Sequence, residues 1–161
     1  MAWQKANEKY NQLIKQLFHD TDWHKRADAA RQLGYMKEGR CVNLLCRALR
    51  NEEEFMVQNR IIEALGRIGD SRATMRIIEV LEAEDDKYLS DKFRIIFIIE
   101  ALSNLNDKRA LVHLAPFLNS PDEELKTLAE KAFDKIEPDW HHIIEREIKK
   151  KSIEEIFKIK F

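Results

Sequence analysis

Glu63-Ala64-Leu65-Gly66-Arg67-Ile68 closes a helix-forming stretch, and three other stretches of the chain close in the same way. Their endings are Arg31-Gln32-Leu33-Gly34-Tyr35-Met36, Glu100-Ala101-Leu102-Ser103-Asn104-Leu105 and Lys131-Ala132-Phe133-Asp134-Lys135-Ile136. Anchored on Leu33, Leu65, Leu102 and Phe133, the phrases lie 32, 37 and 31 residues apart. A phrase that returns at such a period marks stacked supersecondary units, each too small to bury its apolar face alone. An architecture of this kind offers surface to a partner and says little about chemistry.

Working outward, each unit reads as two antiparallel helices. The first carries the phrase. A short turn follows, and the second helix opens on Arg with a small residue: Glu38-Gly39-Arg40-Cys41, Asp70-Ser71-Arg72-Ala73 and Asp107-Lys108-Arg109-Ala110. An acid at a helix start suits the macrodipole and supplies a cap. The second helices align without gaps over 40–49, 72–81 and 109–118, and Pro116 inside the last removes a backbone bond and should kink it. In the fourth unit Leu125, Leu128, Ala129, Ala132, Phe133 and Ile136 fall on one helical stripe, and Ser120-Pro121-Asp122-Glu123 makes its N-terminus. Between Leu81 and Phe93 the chain is longer and acidic (Glu82, Glu84, Asp85, Asp86), which accounts for the 37-residue spacing.

The ends depart from the pattern, as the ends of a repeat stack must if they are to cover its open faces. Residues 1–19 read as an N-terminal capping helix with Trp3, Tyr10, Leu13, Ile14 and Leu17 on one side, and 20–137 as the repeats. Residues 138–161 read as a C-terminal capping helix (Trp140, Ile143, Ile144, Ile148) and a tail, divided by Lys149, Lys150 and Lys151. Ser152 and Glu155 could form a capping box for a last short helix. The tail's Ile153, Ile156, Phe157, Ile159 and Phe161 must fold back or pair with another chain, so self-association is one expectation. The whole of 1–161 is read as one domain: an all-α, right-handed α-solenoid of about four helical hairpins.

Composition sets bounds on function. At 161 residues, 44% hydrophobic and 35% charged, the chain can bury a sizeable core beneath a charged exterior. Its longest apolar run, Ile95-Ile96-Phe97-Ile98-Ile99, is far below the roughly 20 residues that cross a bilayer. With no apolar leader in the opening residues, a cytoplasmic location is expected. Cys41 and Cys46 lie five apart in a helix, on different faces, which suits structural thiols better than a disulfide or zinc site.

The string Ala64-Leu65-Gly66-Arg67-Ile68-Gly69-Asp70-Ser71-Arg72-Ala73, together with Arg26 seven residues before Leu33, resembles the HEAT-like repeat family. The likeness is to the short-period subclass found in bilin lyases and many small bacterial and archaeal proteins, and it covers roughly 22–137. It implies the fold and leaves function open. A lyase attaching a chromophore is one activity the family contains. The iron-binding deoxyhypusine hydroxylases of the family use His-Glu dipeptides, and none occurs here.

Catalytic constellations are not visible. His19, His24, His113, His141 and His142 show no helical metal spacing, and no Gly-rich phosphate loop or Gly-flanked Ser occurs. Neither a metal nor a cofactor is expected. Arg40, Asp70, Arg72, Asp107 and Arg109 are read as a structural ladder, each Arg meeting a turn acid; the other reading is a row of anion sites. The segments 39–50, 71–82 and 108–119 together carry +5 against −6 for the remainder, or +2 without the ladder arginines. Two phosphates neutralised would give a salt slope of about −2, too shallow for strong nucleic-acid binding.

The better candidate surface comes from the aligned second helices. Val42, Leu45, Leu49, Thr74, Ile77, Leu81, Leu111, Leu114 and Leu118 take the core positions. Asn43, Leu44, Arg47, Met75, Arg76, Glu79, Val112, His113 and Pro116 turn away from it. Leu44, Met75 and Val112 are apolar where water alone would favour polar groups, and arginines stand beside them. Apolar anchors edged by Arg are typical of protein-binding patches, so a protein partner is expected there.

Overall fold

Among the described residues all the regular structure is helical, as expected of a sequence rich in helix formers and poor in Gly and Pro. The computed structural model describes residues 1–84, 91–147 and 152–160, with side chains to 158. Asp85, Asp86, Ile148, Lys149, Lys150, Lys151, Phe161 and the side chain of Ile159 lie outside the described residues. Two compact units, Met1–Ala73 and Thr74–Phe161, make up the chain.

The first unit contains α1 (Ala2–His19), α2 (Trp23–Met36), α3 (Val42–Asn51) and α4 (Phe55–Ile68), with 3-10 turns at Gly39–Cys41 and Ser71–Ala73. Leu33 and Leu65, the anchors of the repeated phrase, each stand eleventh in a 14-residue helix and are fully buried. Small residues on α2 (Ala29, Ala30, Gly34) let it lie close against α4. A Cβ on Gly34 would meet Ala64 Cα at 2.8 Å. Asp22 caps α2 by accepting the His24 amide at 2.9 Å, and α2 and α4 end on left-handed residues, Lys37 (φ 50) and Gly69 (φ 75). Only glycine takes that conformation without steric cost. On α1 the stripe Tyr10, Leu13, Leu17 is buried against α2 and α3.

In the second unit α5 (Thr74–Glu82), α6 (Lys92–Leu105), α7 (Leu111–Leu114), α8 (Glu123–Ile136), α9 (Trp140–Glu147) and α10 (Ile153–Lys160) follow, with 3-10 turns at Lys108–Ala110 and Ala115–Asn119. Leu102 and Phe133 again stand eleventh in 14-residue helices, α6 and α8, which pack side by side, and both are fully buried. The aligned segment 109–118 does not stay α-helical. Pro116 has no N–H to give the Val112 carbonyl, so α7 stops at Leu114 and the chain tightens into 3-10 turns.

The C-terminus folds back. Trp140 on α9 donates its indole N–H to Asp134 Oδ1 at 2.7 Å and lies 5.3 Å from the Phe133 ring. The α10 helix packs on α7, with Ile156 and Phe157 almost fully buried and Phe157 edge-on to Phe133 at 5.1 Å. Ser152 and Glu155 exchange the two bonds of a capping box at its start. Of the two fates open to the tail, these anchors take the intramolecular one.

Candidate functional site

The turns that open the second helices are built from the Asp-x-Arg spacing. Asp70 accepts the Arg72 amide at 2.9 Å and the Arg72 guanidinium at 2.7 Å through Nη2. Asp107 repeats the geometry with Arg109, at 3.0 Å from the amide and 2.6 Å from Nη2. Arg72 also donates to the Gly39 carbonyl at 2.9 Å, one turn back in the same unit. Arg40 pairs with Glu38 at 2.9 Å, donates to Asn7 of α1 and covers the Tyr10 ring at 3.9 Å. Hydrogen bonds from Arg72, first its side chain and then its amide, hold the Asp70 carboxyl below its ordinary value. Burial would raise Asp107, but hydrogen bonds from the Arg109 side chain and amide bring it below that value. Guanidiniums committed in this way have few donors left for an anion.

A tighter contact lies at the other edge of the first unit. Arg26 grips Glu52 through Nε and Nη2, at 2.9 and 3.0 Å, and donates to the Asp20 carbonyl at 2.9 Å. Only 9% of the Glu52 side chain is exposed. Burial alone would raise its carboxyl; the Arg26 fork and the Glu54 amide hold it below its usual value. This clamp ties the α1–α2 and α3–α4 connections together. The spacing of Arg26 from Leu33 marks the arginine in the sequence, but nothing there marks Glu52. In the second unit Arg94 is similarly buried, its Nε 2.6 Å from Glu84 Oε1.

The outward positions fall as follows. In the first unit Asn43 and Arg47 are exposed and Leu44 is half-buried, all on α3. The Arg47 guanidinium lies over the Phe18 ring at 4.9 Å. In the second unit Met75 is 46% exposed, Glu79 is exposed and Arg76 is half-buried against Glu79, with its Nε buried and unbonded. Val112, His113 and Pro116 are half-buried, and His113 Nδ1 lies 3.4 Å from Glu82 Oε1, which brings α5 and α7 side by side. All nine core positions named above, from Val42 to Leu118, are buried.

Neither Cys41 nor Cys46 is in a disulfide. Cys41 donates its thiol hydrogen to the Glu38 carbonyl at 2.9 Å, and burial pushes its pKa up to about 11, which leaves it unreactive. Trp23 stacks on His24 and Trp140 lies tilted against His141, each pair with ring centroids 3.6 Å apart. Among the described residues no three His, Cys, Asp or Glu side chains converge as metal ligands, and no helix is long and apolar enough to cross a membrane.

Comparison with known proteins bears on the fold. A family model described as HEAT repeats matches residues 10–93. Over 59 residues the chain is 37% identical to the bilin biosynthesis protein PecE of Mastigocladus laminosus, a match covering 37% of this chain and 22% of PecE. Among solved structures it resembles a chain of the complex of CpcE and CpcF of phycocyanin lyase from Nostoc sp. PCC7120. That match has a TM-score of 0.70 and 20% identity, and covers 84% of this chain and 56% of the other. It also resembles an engineered protein from a structural genomics consortium, at a TM-score of 0.60 and 17% identity, covering 92% and 76%. The fold is thereby an all-α solenoid. The aligned region spans about a fifth of PecE and just over half of the phycocyanin lyase chain.

Proposed function

This chain belongs to the HEAT-repeat family, and from that premise we propose that it is a non-catalytic accessory protein that binds another polypeptide through the outward sides of its second helices. The observation that carries the reading is its likeness to a chain solved as a complex of two proteins, CpcE with CpcF. Local chemistry supports the placement. Met75 is exposed beside the Arg76–Glu79 pair in one unit, and Leu44 stands between Asn43 and Arg47 in the other. The turn arginines Arg40, Arg72 and Arg109 act as a ladder that braces these helices. Two cysteines outside any disulfide suit a reducing, cytoplasmic setting.

The match to PecE favours a more specific version, and the comparisons lean towards it: the partner bears a chromophore and this chain assists a lyase-type attachment. Clefts in the first unit measure about 280 and 350 Å³ and open to water, at the floor of the range of about 300–1,000 Å³ that encloses a small ligand. Nucleic acid finds less support, because the turn arginines are already paired.

Affinity capture of the tagged chain from its host, with mass spectrometry and a visible spectrum of the eluate, tests both levels. One protein recovered in stoichiometric amount is expected. Visible absorbance in the eluate would select the lyase-type version, and a colourless partner the plain scaffold. Recovery of nothing, or of nucleic acid alone, would overturn the reading.

A further inference from the structure

The arginines of this chain divide sharply by what they touch. Nine of them meet a carboxylate within ion-pair distance, and Arg146 donates to the His142 carbonyl. Arg47 and Arg50 do neither. Both are exposed on α3, a helix without a single acidic residue, and among the described residues neither side chain meets a hydrogen-bond or carboxylate partner. Asn43, Arg47 and Arg50 are spaced i, i+4, i+7, which places them in one row on the helix surface. Leu44 stands beside that row, half-buried.

Arg47 is held in place without being neutralised. Stacking over Phe18 at 4.9 Å fixes the plane of its guanidinium and leaves the N–H fork at its edge unspent. A planar fork with free donors is suited to a carboxylate, which it can grip through two parallel bonds. Arg50, in the last turn, gains something from the helix dipole, but that benefit does not require Arg47, which stands further in. Two unpaired cations beside an apolar side chain match an acidic, partly apolar polypeptide.

We propose that the α3 face of the first unit (Asn43, Leu44, Arg47, Arg50) docks an acidic segment of a protein partner, with the two arginines gripping its carboxylates. The proposal rests on the protein-binding reading above and adds the chemistry of the partner. Arg50 is a new member of the face.

The test uses the full chain, ¹⁵N-labelled, titrated at low salt with an oligoglutamate peptide containing leucine. Parallel titrations use an oligolysine peptide and a single-stranded oligonucleotide of equal charge. The expected result is a shift of the Leu44, Arg47 and Arg50 amides by oligoglutamate alone. Joint Arg47→Ala and Arg50→Ala substitution should weaken its binding at least tenfold and leave the far-UV circular dichroism unchanged. Absence of oligoglutamate binding, or binding indifferent to the two substitutions, would overturn the proposal. So would tighter binding of the oligonucleotide at the same amides, which would assign the face to nucleic acid. A face that fails here while a protein partner is still captured leaves the accessory function standing. A face that passes while capture recovers no protein removes the function and keeps the acid-binding surface.

Discussion

Gly34→Ala should destabilise the first unit even though alanine is the better helix former. The new Cβ would lie 2.8 Å from Ala64 Cα and 2.9 Å from Ala64 Cβ. Carbon atoms in ordinary contact sit about 3.5–4.0 Å apart, so α2 and α4 must part by roughly 0.7–1.2 Å along a buried seam. The nearer obstacle is backbone in the middle of a 14-residue helix, which cannot rotate away. Overpacking of this kind costs about 1–3 kcal/mol, and the upper part of that range applies. Replacing a helical glycine by alanine returns about 0.8–1 kcal/mol. The net expectation is a loss of about 1–2 kcal/mol, read as a lower urea midpoint at unchanged m-value on the full chain. Gly39→Ala is the internal control: nothing lies within 4 Å of its Cβ position, so it should be neutral or stabilising by up to about 1 kcal/mol. If Gly34→Ala matched or exceeded the parent in stability, α2 and α4 would not be packed in this register.

Further outcomes follow from other contacts. Leu65→Ala, at a fully buried anchor, should cost about 2–5 kcal/mol in the same assay, and a loss near zero would mean that the repeat register is wrong. Arg26→Ala strands the buried Glu52 carboxylate and should cost about 2–3 kcal/mol at neutral pH, less than a fully buried pair because Arg26 is partly exposed. Because the folded Glu52 carboxyl lies below its ordinary value, its stabilisation is complete above about pH 4.5 and fades as pH falls through the lower folded value. Glu52→Gln should therefore flatten that acid limb, and an unchanged limb in pH-dependent urea melts would rule the pair out as its source. Lys37→Gly removes a left-handed non-glycine residue and should raise stability by roughly 0.5–1 kcal/mol, whereas a loss would deny the strain there.

The repeat was legible because its signals are local. Leu33, Leu65, Leu102 and Phe133 announce themselves by a phrase of six residues, and apolar spacing alone placed Val42, Leu45 and Leu49 inside. Pairings across the sequence were not. Arg26 stood out by its spacing from Leu33, but Glu52 lies 26 residues away, and only adjacency of two connections makes it the partner. The tail could be recognised as apolar, yet whether Phe157 met Phe133 or another chain depended on geometry that no periodicity encodes. Pro116 predicted a break, while the switch to 3-10 turns depends on how the following residues pack. For the candidate face, outward direction was readable from helical phase. That Arg47 and Arg50 meet no carboxylate among the described residues was not, because several other arginines are neutralised across turns or connections, as Arg26 is by Glu52. A surface that answers to an unknown partner leaves no internal period to read.

The most direct measurement is calorimetric titration of the captured protein partner into three forms of the full chain. These are the parent, a Leu44→Glu/Arg76→Glu double variant, and a control charge reversal at exposed Arg31 on α2. The account predicts at least a tenfold loss of affinity for the double variant and parental affinity for the control. Equal affinity across all three, or a loss confined to the Arg31 variant, would contradict it.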